Sequence, residues 1–334
     1  MSSTAPLKIG LLGAGHLGKI HARCLAELAD AVEVVGVYDP EEASAKTVRD
    51  AHGYRVFDSS DALFAACDAV DVVTPTSTHF VLAKAALEAG CHVFVEKPVT
   101  ERVAEAEALE SLAAQRGLSI QVGHVERFNP AFATLGHRAI APVFVEAHRL
   151  AEFNPRSTDV SVVLDLMIHD IDLVLSLIDA EVEDVSASGV GVVGESVDIA
   201  NARLDFANGA TANLTASRIS LKSMRKLRLF QRDAYIGVDL LGKATEVVTL
   251  SDHDPAAPGP LQLPTEAGLR EIVIEHPPVA PVNAIREELR SFAAAIAAGE
   301  SPAVTIADGR RALAVAHRVL GDIEARRAKL LASL

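Results

Sequence analysis

Short apolar runs alternate with segments of helical periodicity over the first third of the chain. Residues 7–12 (LKIGLL), 32–38 (VEVVGVY) and 91–95 (CHVFV) are such runs, and apolar residues recur at helical spacing between them. Strands that alternate with helices of this length form βαβ units, and strands apolar on both faces belong to a sheet that is covered on both sides. The same rhythm predicts strands at residues 54–57, 69–76 and 119–123 and helices at 16–29, at 101–116 and in a segment ending at Gly90.

The pattern changes after residue 124. A strongly apolar helix is predicted over residues 160–178, then several strands, and finally two helices at 281–298 and 307–327. Among the strands, Asn208-Gly209 lies between two alternating runs, and this dipeptide is a strong signal for a β-hairpin turn. The segment therefore predicts an α+β arrangement with an antiparallel sheet.

Two domains follow from this change of pattern. Residues 1–123 predict an α/β domain with a doubly wound parallel sheet, and residues 124–334 predict an α+β domain with an open, mostly antiparallel sheet. A chain of 334 residues is long enough for both. Residues 251–264, rich in proline and acidic side chains, are expected to form a surface loop.

Charge and cysteine content restrict the partners and the compartment. The net charge is −14, and no stretch interleaves Lys and Arg with aromatic residues, which argues against nucleic acid or an anionic membrane as a partner. The three cysteines are widely spaced without a CxxC pair, so neither a disulfide framework nor a zinc site is expected. With no basic leader and no apolar run of the length that spans a membrane, we expect a cytoplasmic protein.

The segment LLGAGHLGKI carries the first motif with chemical meaning. Gly13, Gly15 and Gly18 form GxGxxG directly after a predicted strand and at the start of a helix. In this context the glycines allow a tight turn, the close approach of a pyrophosphate and helix packing on the strand. His16 and Leu17, which lie between the second and third glycines, are expected beside the same cofactor.

Asp39 ends the second predicted strand, about 20 residues after the glycines, where a carboxylate binds the ribose hydroxyls of NAD. Glu41 and Glu42 follow with no arginine nearby. Their negative charge would repel a 2′-phosphate, so the sequence favours NAD over NADP. The alternative is a glycine-rich turn followed by a solvated acid.

Polar residues also follow the later strands at their carboxyl ends, the edge at which ligands bind in open parallel sheets. Any one of them could instead cap a helix or form a turn, but their coincidence on one edge favours a cofactor site. These residues are Thr74, Pro75, Thr76, His79, Glu96, Lys97 and His124.

The predicted helix at residues 160–178 carries polar residues on one face. Asp165, His169, Asp172 and Ser176 fall at i, i+4, i+7 and i+11, and Asp170 is the exception among the remaining, mostly apolar positions of residues 162–178. Because unpaired buried carboxylates are costly, this polar stripe should face a wet cavity or pair with cations. A histidine beside a carboxylate can act as a general base; the alternative is a polar network between helices or domains. One imidazole and two carboxylates, even with His124, are poor zinc ligands, and no metal is expected.

GxGxxG with Asp39, then TPTSTH, EKP and D-x-x-x-H-x-x-D in this order resemble the glucose-fructose oxidoreductase and inositol dehydrogenase family (Gfo/Idh/MocA) over the whole chain. The resemblance implies a Rossmann domain, a C-terminal α+β domain whose sheet forms homodimers or homotetramers, and oxidation of a secondary alcohol of a sugar or cyclic polyol. It also implies that Lys97, Asp165 and His169 are catalytic, leaving open whether Lys97 or His169 is the base and whether NAD is released or recycled. A cis peptide bond before Pro98 is a further implication.

GHVERFNPAF (123–132) and SVVLDLMIHDIDLVL resemble more narrowly the UDP-N-acetylglucosamine 3-dehydrogenase-like branch. This likeness implies oxidation of the 3-hydroxyl of a UDP-linked N-acetylhexosamine, with His124, Arg127, Arg156 and Asp172 as substrate-binding candidates. Three alternatives stay open: a dehydrogenase of inositol or a free sugar, an enzyme that uses bound NAD to eliminate a glycosidic group, and a dinucleotide-binding sensor without catalysis. The presence of Lys97, Asp165 and His169 together argues against the sensor.

Overall fold

The computed structural model describes residues 5–136, 138–153, 160–252, 261–265 and 268–332. It divides into two compact units, one formed by Met1–Phe128 and Val282–Ala314 and the other by Asn129–Pro281 and Val315–Leu334. Within the described residues, the helices fall short of the length and apolar character that a membrane span needs.

A five-stranded parallel sheet with strand order β2-β1-β3-β4-β5 forms the centre of the first unit. The predicted α/β architecture is confirmed. Its strands are β1 Leu7–Leu12, β2 Val32–Tyr38, β3 Ala69–Val72, β4 His92–Glu96 and β5 Ile120–Gly123.

The strand predicted at residues 54–57 is shorter than expected. Only Val56 pairs, in a single parallel bridge to Val37 at the β2 edge of the sheet. Val37 donates to the Arg55 carbonyl at 2.8 Å and accepts from the Phe57 N–H at 2.9 Å, which accounts for both backbone groups of one β2 residue. The prediction of a full strand there is wrong in length and right in position.

The helices of the first unit cover the faces of the parallel sheet. Gly90, predicted to end a helix, lies directly after α4 with φ +92°, a left-handed conformation that glycine adopts without steric cost. The helices are α1 His16–Ala26, α2 Glu42–His52, α3 Ser60–Phe64, α4 Thr76–Ala89 and α5 Val103–Arg116, followed by a 3₁₀ turn at Val125–Phe128.

A nine-stranded sheet dominates the second unit, with strand order β13-β14-β12-β11-β10-β6-β9-β8-β7. Its pairs are antiparallel except for β6 with β9, which run parallel, so the predicted, mostly antiparallel sheet is confirmed. The strands are β6 Phe144–Glu152, β7 Val182–Val190, β8 Ile199–Phe206, β9 Thr211–Ser220, β10 Met224–Gln231, β11 Ala234–Asp239, β12 Ala244–Asp252, β13 Gln262–Thr265 and β14 Gly268–Glu275.

Two sequence predictions concern turns of this sheet. The hairpin at Asn208-Gly209 is confirmed: it joins antiparallel β8 and β9, and Gly209 has φ +83°. The surface loop predicted at residues 251–264 extends too far at both ends, because Asp252 ends β12 and Gln262 begins β13. Its middle, residues 253–260, lies outside the described part of the chain.

The predicted helix at residues 160–178 consists of two segments. Val163–Met167 is a π-helical turn, and helix α7 follows at Ile168–Leu177. A π turn inserts an extra residue into the helical register. The regular i, i+4, i+7 stripe expected for this segment therefore does not continue through it.

The chain returns to the first unit over Val282–Ala314. The remaining helices are α6 Pro130–Ala133, α8 Ala284–Ala298 and α9 Ile306–Ala332. In α8, Leu289, Phe292 and Ala293 are buried in one core cluster with Ile9 and Phe94. The observed grouping thus differs from the expected division into residues 1–123 and 124–334, because this apolar face of α8 belongs to the core of the Rossmann unit.

Candidate cofactor and catalytic site

The glycine motif forms the turn between β1 and α1. Gly13 has φ +98°, and a Cβ there would lie 2.6 Å from the Val73 carbonyl oxygen, so this position requires glycine. A Cβ at Gly18 would collide with the carbonyl oxygen of Gly13. At Gly15 a Cβ would meet nothing within 4 Å. The turn is therefore closed on its protein side and open at Gly15, where a pyrophosphate can approach the backbone.

Asp39 is fixed at the end of β2 by two backbone donors. Its carboxylate accepts from the Ala14 N–H at 2.7 Å and from the Glu41 N–H at 2.8 Å. These bonds tie the acid directly to the glycine turn, and each carboxylate oxygen keeps a further lone pair for a ligand hydroxyl. The geometry fits recognition of a ribose diol.

The glycine turn and Asp39 line a cavity of about 820 Å³ in the first unit. This volume is in the range of cofactor pockets. Of the predicted cofactor residues, the cavity is lined by Gly13, Gly15, His16, Leu17, Asp39, Thr74, Pro75, Glu96 and Lys97. A dinucleotide therefore fits the residues that the structure brings together here.

Gly18, Thr76 and His79 lie outside this lining. Thr76 begins α4, and the His79 side chain is buried between two backbone carbonyls. Its Nδ1 lies 2.9 Å from the oxygen of Pro98 and its Nε2 lies 2.9 Å from the oxygen of Thr74. Burial lowers the pKa of His79. The contacts show His79 joining the loops after β3 and β4.

Glu96 ends β4 at the carboxyl edge of the sheet, and Lys97 follows it. The Lys97–Pro98 peptide bond is cis, as the family resemblance implied. Glu96 is buried, and its Oε2 accepts from the Lys97 backbone N–H at 3.1 Å. Next to it, a Cβ at Gly123 would lie only 2.9 Å from the Glu96 carboxyl carbon. Glu96 is thus packed closely behind the lysine, and both residues reach the cavity.

In the second unit, Asp165 lies within the π turn and His169 lies in the first turn of α7. Both side chains are half-buried, whereas Asp172 is buried and Ser176 is exposed. π turns inside helices are frequent at functional sites. The local geometry therefore presents an acid and an imidazole from neighbouring turns.

Asp170, the exception in the predicted stripe, has a buried partner. Arg149 on β6 binds its carboxylate through Nη2 at 2.7 Å and through Nε at 3.1 Å. Both side chains are less than 5 % exposed. The pair fastens α7 to the sheet one residue after His169, although Asp170 lies outside the stripe for which pairing with cations was expected.

A second buried ion pair contacts the segment that precedes the π turn. Arg218 lies 3.6 Å from Asp198 (Nε to Oδ1), and its Nη2 donates to the Val160 carbonyl. Asp198 in turn accepts from the backbone N–H groups of Val192 and Val193, both at 2.8 Å. Burial alone would raise the pKa of Asp198, but these donors and the Arg218 charge lower it. The start of the segment that carries Asp165 is thereby anchored.

The four substrate-binding candidates have different surroundings. His124 and Asp172 are buried, and Arg127 lies 3.7 Å from Asp308 (Nη2 to Oδ1) in an ion pair of the first unit. Arg156 lies outside the described residues.

Several buried polar residues were missed by the sequence reasoning, although two of them leave a signal. Asp71 interrupts the apolar strand AVDVV, and Arg149 falls on the same strand face as the buried Val145 and Ala147. Strand periodicity thus points Arg149 inward. His21 and Glu288, also buried, lie in helices whose sequences give no comparable sign.

The fold and the cavity define an NAD-binding oxidoreductase. The model of the oxidoreductase family with an NAD-binding Rossmann fold, Gfo/Idh/MocA, matches residues 7–124, and that of the Gfo/Idh/MocA C-terminal domain matches residues 136–233. The chain belongs to the Gfo/Idh/MocA family, and its cofactor is NAD.

Individual relatives extend the similarity over nearly the whole chain. A UDP-N-acetylglucosamine 3-dehydrogenase from Acidithiobacillus ferrooxidans is 39% identical over 320 residues, covering 96% of this chain and 98% of the relative. A solved structure of UDP-N-acetylglucosamine 3-dehydrogenase GnnA from that organism superimposes with a TM-score of 0.86 at 38% identity, covering 96% of this chain and 99% of the other. A scyllo-inositol 2-dehydrogenase (NAD(+)) from Bacillus subtilis is 31% identical over 64% of this chain and 68% of the relative.

Proposed function

We propose that the chain oxidises the 3-hydroxyl of a UDP-linked N-acetylhexosamine to a ketone, with NAD as the oxidant. One observation carries this choice of substrate: the relative named UDP-N-acetylglucosamine 3-dehydrogenase matches 96% of this chain at 39% identity. A myo-inositol 2-dehydrogenase from Thermotoga maritima also covers 96% of it, but at 26% identity, so identity rather than coverage favours the UDP-sugar. Inositol and free sugars are the second candidate class.

The chain's own residues supply the acid-base chemistry in this proposal. His169 takes the proton of the reacting hydroxyl, and Asp165 orients the imidazole. The ammonium of Lys97 stabilises the negative charge that develops on the oxygen. NAD, when bound, provides the acceptor for the hydride that leaves the same carbon. Lys97 lines the cofactor cavity, which supports a role at the reacting end of NAD.

We assign the diphosphate of the nucleotide sugar to Arg127 and Arg156. A guanidinium matches phosphate oxygens with two parallel donors. His124 and Asp172 are proposed to line the sugar subsite with them. An Arg127→Ala variant should raise KM for the UDP-sugar and leave the affinity for NAD unchanged; equal KM values would remove Arg127 from this subsite.

The substrate is tested with a panel. The protein is incubated with NAD and UDP-N-acetylhexosamines, other UDP-sugars, free hexoses and inositols, with and without a 2-oxo acid as second oxidant, while absorbance of the reduced nicotinamide and formation of ketone are recorded. Turnover of UDP-N-acetylglucosamine with a 3-keto product supports the proposal. Turnover of inositol alone would contradict the proposed substrate. If NAD binds but no compound of the panel is turned over, the result supports a sensor.

The catalytic residues are tested by substitution. Lys97→Ala and His169→Ala should each lower kcat by about 100-fold to 10,000-fold, the range for positioned acid-base groups. Lys84→Ala is the matched control, because Lys84 is an exposed lysine of the same unit, paired with Glu88. If the two groups act on one hydroxyl, the double variant should lose little more than either single variant. Near wild-type turnover in Lys97→Ala or His169→Ala would refute the assignment.

We also propose a homo-oligomer that assembles through the nine-stranded sheet and acts in the cytoplasm. On one face of the sheet Leu263 and Ile274 are 41 and 48 % exposed, and on the other face Leu269 and Val273 are 38 and 41 % exposed. Exposed apolar side chains of this kind mark interfaces. The three cysteines are free thiols, which suits a reducing compartment. Analytical ultracentrifugation of the wild type and of Ile274→Asp tests assembly: a monomeric wild type would contradict it.

A further inference from the structure

Four ionisable side chains meet in the interior of the first unit, directly behind Lys97. They come from four separate elements and are 0 to 8 % exposed. The four, called here the buried cluster, are His21 on α1, Asp71 on β3, Glu96 at the end of β4 and Glu288 on α8. In a buried cluster of one imidazole and three carboxyl groups, burial and the neighbouring charges decide which groups carry a proton.

His21 is placed between two of the carboxylates. Its Nδ1 lies 2.9 Å from Asp71 Oδ2, and its Nε2 lies 3.2 Å from Glu96 Oε1. Nδ1 makes a hydrogen bond to Asp71, and Nε2 lies in ion-pair contact with Glu96 without hydrogen-bond geometry. A proton on both nitrogens gives each of the two carboxylates a positive neighbour. Burial alone would lower the pKa of His21, but Asp71 and Glu96 together raise it well above the ordinary value. The geometry therefore favours an imidazolium.

Glu288 differs from the other acids of the cluster. It is fully buried, and neither carboxyl oxygen has a hydrogen-bond partner among the described residues. The groups that face it are the charges of His21, Glu96 and Asp71 and the thiol of Cys24. Burial raises the pKa of Glu288 strongly, and the Glu96 charge raises it further. An anion here would be a third carboxylate against one imidazolium.

Glu96 links the cluster to the cofactor cavity. Burial would raise its pKa, but the contact with His21 and the charge and backbone N–H of Lys97 lower it. It is thus an anion that bonds to the Lys97 backbone at 3.1 Å and is confined by Gly123, whose missing side chain leaves room for it. A change in the charge of Glu96 would be transmitted to Lys97.

We propose that Glu288 is a neutral carboxylic acid and His21 an imidazolium, and that these two protonation states keep Glu96 ionised as the residue that positions Lys97. The functional half of this proposal rests on the catalytic role proposed for Lys97; the protonation states do not. His21 and Glu288 are positioning residues that act through Glu96.

The same residues allow a second interpretation, in which they bind a metal cation. Donor atoms of His21, Glu96 and Glu288 lie within 4.8 Å of one another, so the three could in principle surround a metal ion. In such a site Nε2 would offer its lone pair to the metal while Nδ1 donates to Asp71, an arrangement common among histidine ligands. Metal content therefore separates the two interpretations in the test below.

The protonation of Glu288 is tested by infrared spectroscopy and metal analysis of purified protein. At pH 7 the wild type should show the carbonyl stretch of a protonated carboxylic acid, which ¹³C-glutamate labelling shifts and Glu288→Gln removes. Glu287→Gln, a change of the neighbouring and partly exposed acid, should keep the band. A wild type without the band, or a stoichiometric metal that Glu288→Gln loses, overturns the proposal. Labelling of the wild type decides even if the variant misfolds.

The positioning role is tested by pH profiles of turnover. His21→Gln should lower kcat by about tenfold to hundredfold, the range for a displaced catalytic group, with the Kd for NAD within about threefold of wild type. Glu288→Gln should extend the alkaline limb of the kcat profile to higher pH, because glutamine cannot become charged. Unchanged profiles in both variants, with the infrared band present, would refute positioning. If the wild type turns over no substrate, a reduced rate of Lys97 acylation in His21→Gln replaces kcat.

Discussion

Arg149 and Asp170 form a bidentate ion pair inside the second unit, with guanidinium nitrogens 2.7 and 3.1 Å from the carboxylate. The pair connects β6 with the residue that follows His169. Since a planar guanidinium fixes a carboxylate in two directions, the pair sets the rotation of α7 as well as its distance from the sheet.

Removing one partner of this pair should destabilise the second unit strongly. Arg149→Met or Asp170→Asn leaves the other group buried without its counterion, which costs about 3 to 5 kcal/mol. The double variant Arg149→Met/Asp170→Leu should recover part of that loss, because no buried charge remains. Urea unfolding followed by circular dichroism measures both. Arg203→Met, at an ion pair that is 39 to 47 % exposed, is the control and should change the free energy of unfolding little. A similarly small change in Arg149→Met would contradict the prediction.

Two substitutions in the glycine turn should separate NAD binding from stability. Gly15→Ala meets nothing within 4 Å, so it should change the free energy of unfolding by less than about 0.5 kcal/mol and yet weaken NAD binding by blocking the pyrophosphate. Gly18→Ala collides with the Gly13 carbonyl and should destabilise the fold by about 1 to 3 kcal/mol. Thermal unfolding and calorimetric titration with NAD separate the two. Tight NAD binding in Gly15→Ala would show that the pyrophosphate lies elsewhere.

Asp39→Ala should lower the affinity for NAD and narrow the preference over NADP. Hydrogen bonds to a charged group are worth about 1.5 to 3 kcal/mol, so Kd for NAD should rise about tenfold to hundredfold. Kd for NADP should rise less or fall, because the repelling charge is gone. Asp50→Asn is the control, since Asp50 is exposed and paired with Arg49. Equal losses for both dinucleotides would contradict a contact with the ribose hydroxyls.

The Asp198 carboxylate predicts a pH dependence of stability. Its pKa is lowered in the folded protein from the ordinary 3.8, so its contribution is present above that value and disappears as the pH falls through the folded pKa. Asp198→Asn should therefore lower the free energy of unfolding at pH 7 by about 1 to 3 kcal/mol. The difference from wild type should shrink below pH 3.8. A difference independent of pH would indicate a packing defect instead.

For Glu288 the free energy of unfolding should depend on pH with the opposite sign. Its pKa is raised well above 4.5 in the folded protein, so its contribution is complete below that value and is lost as the pH rises through the folded pKa. Between these limits the free energy of unfolding should fall by up to about 1.4 kcal/mol per pH unit relative to Glu288→Gln. Urea titrations from pH 4 to 9 measure the slope. Parallel curves for wild type and variant would exclude proton uptake by Glu288 on folding.

Features that depend on local pattern could be predicted from the sequence. The alternation of strands and helices gave the parallel sheet, and the spacing of Gly13, Gly15 and Gly18 gave the turn at the cofactor cavity, because each depends on neighbours a few residues away. Asn208-Gly209 gave its hairpin for the same reason. The polar edge of the sheet was also accessible, since parallel strands bring their carboxyl ends together.

Features that depend on distant partners were not accessible in this way. The apolar face of α8 shows that the helix is buried but not which core it joins. Asp170 looked like an exception to a stripe because its partner, Arg149, lies 21 residues earlier on a strand. The π turn at Val163–Met167 shifts the register by one residue, a change that hydrophobic periodicity does not record.

The position of Glu288 in the chain has a consequence for biosynthesis. His21, Asp71 and Glu96 emerge from the ribosome long before α8, so the buried cluster lacks its fourth member until nearly nine-tenths of the chain has been translated. Until then these groups face water, which solvates their charges and leaves the parallel sheet open on that side. The Rossmann unit of a nascent chain should consequently stay sensitive to protease, and to the cellular pH, until its last helices arrive.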